Sequence, residues 1–193
     1  MLSKLDPKTT ALVLIDLQQG ILPYGQAPRT ADAVLTAAAA LAKRFREVGA
    51  PVVLVRVGWS SDFGDALKQP VDQPLAHAGG LPDDWWDFPD ELAVDERDIK
   101  ITKRQWSAFY GTELDLQLRR RGIETIVLGG ISTNIGVEST ARVAHEHGYS
   151  LVLVEDAMSC AAPEQHLASL TYIFPRLGLV RQCSDVLEAL ADR

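Results

Sequence analysis

The stretch "TIVLGGISTNIGVESTAR", residues 125–142, decides the fold. Its opening run of β-branched and aliphatic residues, short and closed by two glycines, reads as a strand buried on both faces. Small polar residues follow, and then Val137, Ala141 and Ala144 recur at the steps of one helix face. A buried strand that passes through a glycine turn straight into a helix is the repeating unit of a parallel α/β sheet.

Outward from this stretch the alternation repeats. "ALVLIDL" (11–17), "PVVLVRV" (51–57), "DIKIT" (98–102), "SLVLVED" (150–156) and "LGLVRQ" (177–182) read as five further strands. Between the first two, Ala33, Val34, Ala37, Ala38, Leu41, Phe45 and Val48 form one apolar helical stripe that stops at Gly49, before Pro51. Thr112 is the expected cap of a second helix carrying Leu114 and Leu118 and ending at Gly122. A third is expected from about Gly136 to Gly148, a fourth from near Pro163, and a last one capped by Ser184 over Val186, Leu187 and Leu190. Residues 58–97 break the pattern, with Pro, Gly, Asp and Trp throughout. A connection of that length in a compact domain is usually functional or meets a partner.

The chain has 193 residues, 47% of them hydrophobic and 23% charged, which suits one well-buried core and a single domain over 1–193. A formal charge of -7 argues against a nucleic-acid partner, since a phosphate backbone needs a clustered basic surface. The two basic clusters, "KRFR" (43–46) and "RRR" (119–121), fall on expected helices as solvated faces. The N-terminal apolar run ends in Asp16, with no small-residue cleavage site and far from membrane-spanning length, so a soluble cytoplasmic protein is expected. Cys160 and Cys183 are too few for a disulfide framework or a zinc site and read as small buried hydrophobes.

In an open parallel sheet, ligands bind outside the carboxyl ends of the strands. That rule selects Asp16 and Gln18 after strand one, Lys103 after strand three, and Ser132, Thr133, Asn134 and Gly136 after strand four. Asp16 ends an apolar run, so burial raises its pKa while a nearby lysine lowers it, a balance suited to proton transfer. A helix-capping or ribose-binding Asp is the competing explanation. Lys103 is a candidate to hold that carboxylate ionised, with Arg104 beside it as the other possible inward cation. The glycine turn aims backbone N–H groups at one point, as in an oxyanion site, and lacks the lysine of a phosphate-binding loop. Trp59, Trp106, Phe109 and Tyr110 are candidate pocket walls. His77, His145, His147 and His166 are scattered, so no required metal and no cofactor are expected.

Taken together, "ALVLIDLQQGIL", "ITKRQWSAFYGTEL" and "GGISTNIGVESTAR" resemble the acid, lysine and nucleophile motifs of the isochorismatase-like (cysteine hydrolase) superfamily, in the same order and across almost the whole chain. The likeness is greatest to a bacterial subgroup with Gly in place of the nucleophilic Cys. The resemblance implies a three-layer α/β/α Rossmann-like fold, with a six-stranded, mainly parallel sheet in the order 3-2-1-4-5-6. It assigns the catalytic acid to Asp16 and its lysine to Lys103. It also implies a cis peptide between Ile131 and Ser132, and oxyanion donors at the N–H groups of Ser132 and Gly136. The amidases' cysteine falls on Gly136, which supplies no thiolate.

Isochorismatases resemble this chain in carrying Gly there and in an aromatic-Ser-Ala-Phe run, here "WSAF" at 106–109, although Asn134 stands where they have His. The expected function is therefore cofactor-independent hydrolysis of a small molecule by Asp16 and Lys103, of the vinyl-ether type, with Gln18, Trp59, Trp106, Phe109, Tyr110, Thr133 and Asn134 around the substrate. Two rival expectations are a metabolite-binding or regulatory protein that has lost catalysis, and an amidohydrolase rebuilt around another nucleophile such as Cys160. A homo-oligomer, dimer or tetramer, is expected, with the Trp-rich segment 82–92 as a cover for a neighbouring subunit.

Overall fold

The computed structural model describes residues 2–74 and 80–190; His77 lies outside them. Six strands, β1 (Thr10–Ile15), β2 (Val52–Val57), β3 (Ile99–Lys103), β4 (Thr125–Ile131), β5 (Ser150–Ser159) and β6 (Leu179–Arg181), form one sheet in the order 3-2-1-4-5-6. Every neighbouring pair is parallel. The helices are α1 (Ala31–Glu47), α2 (Leu114–Arg120), α3 (Glu138–Glu146), α4 (Pro163–Ala168), α5 (Phe174–Leu177) and α6 (Cys183–Ala189).

The period of two along the central strand builds both faces. Leu12 and Leu14 of β1 point into one core layer with Val34, Leu41 and Phe45 of α1 and Val186 of α6. Ala11, Val13 and Ile15 point into the other, with Leu114 and Leu118 of α2, Ala141 and Ala144 of α3, and Phe174 of α5. The whole of β1 is buried, which is why its sequence shows no polar alternation.

The order reverses at β1, with β2 on one side and β4 on the other, so the carboxyl ends of β1 and β4 open beside each other. Gly130 permits the close approach: its φ is +129°, and a Cβ there would collide with the backbone of Ile15.

Several element boundaries differ from the sequence reading. The last helix starts at Cys183, and Gln182 caps it in a reciprocal pair with Asp185, so Ser184 lies inside the helix. α2 begins only at Leu114; the Thr112 hydroxyl accepts the Leu114 N–H at 3.2 Å and donates to the Ala108 carbonyl. The helix expected from Gly136 opens instead as a wider π-helical turn, Thr133–Val137, and becomes α-helical at Glu138. β5 runs three residues beyond the expected Asp156, to Ser159.

The Trp-rich segment folds onto its own sheet. Trp85 lies against Gly20 and Trp86 against Gly58, each ring occupying the space a Cβ would need. The Trp85 indole N–H donates to the Val57 carbonyl at 2.7 Å, and the Arg56 guanidinium lies 5.3 Å from the Trp86 ring centre. Two large rings are thereby half-buried against the chain's own sheet.

Candidate active site

Asp16 is the first residue beyond β1, and its backbone is left-handed, with φ +52°. Non-glycine residues take that conformation rarely, and it turns the carboxylate across the strand ends. Lys103, the last residue of β3, reaches over the end of β2, and its Nζ donates to Asp16 Oδ2 at 2.7 Å. It donates also to the Gln105 carbonyl at 3.1 Å. Asp16 is 4% exposed and Lys103 2%, so the pair sits out of water. Burial pushes Asp16 from 3.8 up to about 6, against the opposing charge and hydrogen bond of Lys103.

The two oxygens of Asp16 are unequal. Oδ2 is held by Lys103, whereas Oδ1 is buried and has no hydrogen-bond partner among the described residues; the same is true of Asn134 Oδ1. A buried acceptor left unpaired costs about 1–3 kcal/mol, so such atoms are expected where a guest completes the bonding.

β4 delivers the third component. The peptide between Ile131 and Ser132 is cis, and the π-helical turn that follows brings Gly136 against the pair. A Cβ on Gly136 would lie 2.9 Å from Ile15 Cγ2, 3.2 Å from Asp16 Oδ2 and 3.6 Å from Lys103 Nζ. Asp16, Lys103 and Gly136, from three separate segments, therefore converge on one point. Ile15 also stands closer than a side chain at 136 tolerates, so the surroundings are packed around glycine.

Other residues selected from sequence have different roles. Gln18 was expected to touch substrate, but its carboxamide is fully buried and engaged with backbone: Nε2 donates to the Val57 and Trp85 carbonyls, and Oε1 accepts the Val57 N–H at 2.7 Å. It staples the ends of β1 and β2 to residue 85. Phe109 is a core residue, stacked on His147 at 5.2 Å and packed against Tyr149, not a pocket wall. Trp106 and Tyr110 stand in solvent, 59% and 77% exposed. The Trp59 indole donates to the Arg104 carbonyl, one residue beyond Lys103, and its ring meets Trp85 at 6.5 Å. Arg104 turns outward to Asp65, which leaves Lys103 as the inward cation. Thr133 is fully buried, its hydroxyl 2.8 Å from His166 Nδ1.

Cys160 does not replace the missing thiol. It is fully buried, its Sγ donates to the Ala162 carbonyl at 3.1 Å, and burial pushes its pKa up, away from the thiolate. No group of three or more metal-ligating side chains occurs among the described residues. A separate surface cleft of about 470 Å³ lies against α1, lined by Ala39, Lys43, Arg46, Leu92 and Arg97 among others. In it Arg46 is committed to Asp98 and Arg97 to Asp95.

His166, Glu155 and Trp85 were missed. Glu155 is the first polar residue near the end of the strand expected at 150–156 and was visible by the same strand-end rule that selected Asp16; Trp85 lay in the Trp-rich segment, but its contact with Gln18 gave no local signal.

Comparison with known proteins agrees with this fold. The isochorismatase domain model matches residues 10–185. The isochorismatase family protein YecD of Escherichia coli O157:H7 is 59% identical over 187 residues, covering 97% of this chain and 99% of that one. The ureidoacrylate amidohydrolase RutB of Methylobacterium radiotolerans is 32% identical over 209 residues, 96% of this chain and 81% of its own. The solved structure of an isochorismatase family protein from Burkholderia thailandensis superposes with a TM-score of 0.93 at 45% identity, covering 98% of this chain and 99% of that one. The chain belongs to the isochorismatase family and is a hydrolase of that family.

Proposed function

We propose that this hydrolase acts without a cofactor and without a covalent thiol intermediate, using Asp16 as a general acid on a small molecule of the vinyl-ether type. The observation that carries the reading is the unequal carboxylate: one oxygen bound by Lys103 at 2.7 Å, the other buried, unpaired and facing no competing donor among the described residues. A carboxyl raised to about 6 holds its proton in a useful fraction of molecules near neutrality and releases it readily. Asp16 Oδ1–H protonates the enol carbon, the C=C electron pair forms the new C–H bond, and an oxocarbenium-like cation develops. Water adds to that cation and returns a proton to the Asp16 carboxylate. The resulting hemiketal then collapses to a carbonyl compound and an alcohol. Lys103 stabilises the carboxylate that exists between these two transfers. Gly136 lets the turn after β4 pack directly against Asp16 and Lys103, and the N–H groups of Ser132 and Gly136 are assigned to binding an oxygen of the substrate.

The likeness to an amidohydrolase supports a hydrolytic site of this shape, but an acyl intermediate needs a nucleophile that Gly136 cannot supply. The reading includes self-association in the cytoplasm, supported by the exposed apolar surface of Trp106, Tyr110, Leu167 and Tyr172. Among the described residues no helix is long and apolar enough to cross a membrane.

A screen of vinyl ethers, amides and esters, repeated with Asp16→Asn, tests the assignment. Asp16→Asn is expected to lower turnover at least about 100-fold with the fold intact. Unchanged turnover in that variant would remove Asp16 from the reaction.

A further inference from the structure

The turn that carries Gly136 is held from behind by a side-chain relay separate from the Asp16–Lys103 pair. Thr133 Oγ1 lies 2.8 Å from His166 Nδ1, and His166 Nε2 lies 3.5 Å from Glu155 Oε1. Glu155 is fixed in turn by Arg29, 2.6 Å from the same oxygen, and by the Gln182 carboxamide, which donates to Oε2 at 2.5 Å. The links come from the turn after β4, from α4 and from β5, so the relay ties three elements together.

The carboxylate selects the imidazole tautomer. Glu155 takes the Nε2–H, which leaves the Nδ1 lone pair to accept the Thr133 hydroxyl proton. A hydroxyl, an imidazole and a carboxylate in this sequence have the connectivity of an activated nucleophile. Thr133 has no exposed surface, however, and its hydroxyl is engaged with His166. We propose that His166 is a positioning residue: through Thr133 it fixes the turn over residues 132–136 that sets Gly136 against Asp16. The inference rests on the reading of that turn as the reaction site.

A consequence follows for acid. Protonation converts Nδ1 from acceptor to donor, so the Thr133 hydroxyl must reverse and the turn must adjust. Burial pushes the His166 pKa down, with Glu155 opposing that shift and Arg29 adding to it; the Cys160 thiol shares the same pocket, with Glu164 beyond it on α4. The neutral, acceptor form therefore holds at and above neutral pH.

Amide NMR over a pH series tests this without any substrate, so its failure leaves the role of Asp16 untouched. The Asp16→Asn background removes the carboxyl that titrates near 6. The amides of 132–136 are expected to shift with the same midpoint as His166, below 6.5. Thr133→Val should abolish that inflection in the turn while His166 still titrates, and Thr133→Ser should restore it. His166→Asn, which keeps an acceptor near the Nδ1 position, should hold the turn amides at their neutral-pH positions with no inflection. Turn amides that stay flat through the His166 titration, or that respond equally in Thr133→Val, would overturn the proposal.

Discussion

Replacing Lys103 with methionine removes the ammonium and keeps a long unbranched side chain in the buried slot. Its effect on stability should depend on pH in a way that follows from Asp16. The folded-state pKa of Asp16, about 6, lies above the 3.8 of the unfolded chain. The native state therefore holds the extra proton, and this contribution is fully present below 3.8 and lost as pH rises through about 6. Between pH 7 and pH 5 it adds about 1.4 kcal/mol to the stability of the unmodified protein, since about one pH unit of that interval lies below the folded-state value. Without Lys103 only burial acts on the carboxyl, its pKa rises further, and Asp16 is protonated across the whole interval. The gain then approaches one proton over two pH units, about 2.7 kcal/mol. Breaking a buried pair costs about 3–5 kcal/mol at neutral pH. Urea denaturation of both proteins at pH 5, 6, 7 and 8 should thus show a large gap at pH 7 that narrows by about 1.3 kcal/mol at pH 5. Other titrating groups are common to both proteins and cancel in the difference. A gap independent of pH would refute the claim that Lys103 is what holds Asp16 ionised.

Gly136→Ala places a methyl 2.9 Å from Ile15 Cγ2 and 3.2 Å from Asp16 Oδ2, so thermal denaturation should show a loss of about 1–3 kcal/mol, with turnover lost as well. Full turnover in that variant would mean that the close approach of the turn to Asp16 is not needed for the reaction. Gln18→Leu removes three hydrogen bonds, two of them buried, and should make the amides of residues 85–92 exchange with solvent at least about tenfold faster, while unchanged exchange would deny the stapling role. Iodoacetamide at neutral pH should leave native turnover untouched and Cys160 and Cys183 unmodified, because both thiols are buried with raised pKa values.

The sheet was legible because its central strands are buried on both faces: five consecutive apolar residues before Asp16 leave no other placement for that run. Asp16, Lys103 and the glycine turn were selected as candidates by one rule, that ligands meet parallel sheets at the carboxyl ends of strands. What escaped was the partition among polar residues at those ends. Gln18 and Asp16 look alike in sequence, two polar groups after an apolar run. They are distinguished by a contact 67 residues away, at the Trp85 carbonyl, which no local pattern encodes. Phe109 was misread for a similar reason, since the aromatic run after Lys103 splits between core and solvent within five residues. His166 was dismissed with the other histidines because its partners, Thr133 in the turn after β4 and Glu155 in β5, come from separate segments.

The central claim is that Asp16 reacts in its protonated form. The pH dependence of kcat/KM reports the ionisation of the free enzyme, and therefore that of Asp16 itself. On any substrate the screen yields, the account predicts a rate that is level in acid and falls about tenfold per unit above pH 6. A rate that rises through the same region would make Asp16 a base, and a flat profile from pH 5 to 8 would take it out of the rate-determining chemistry.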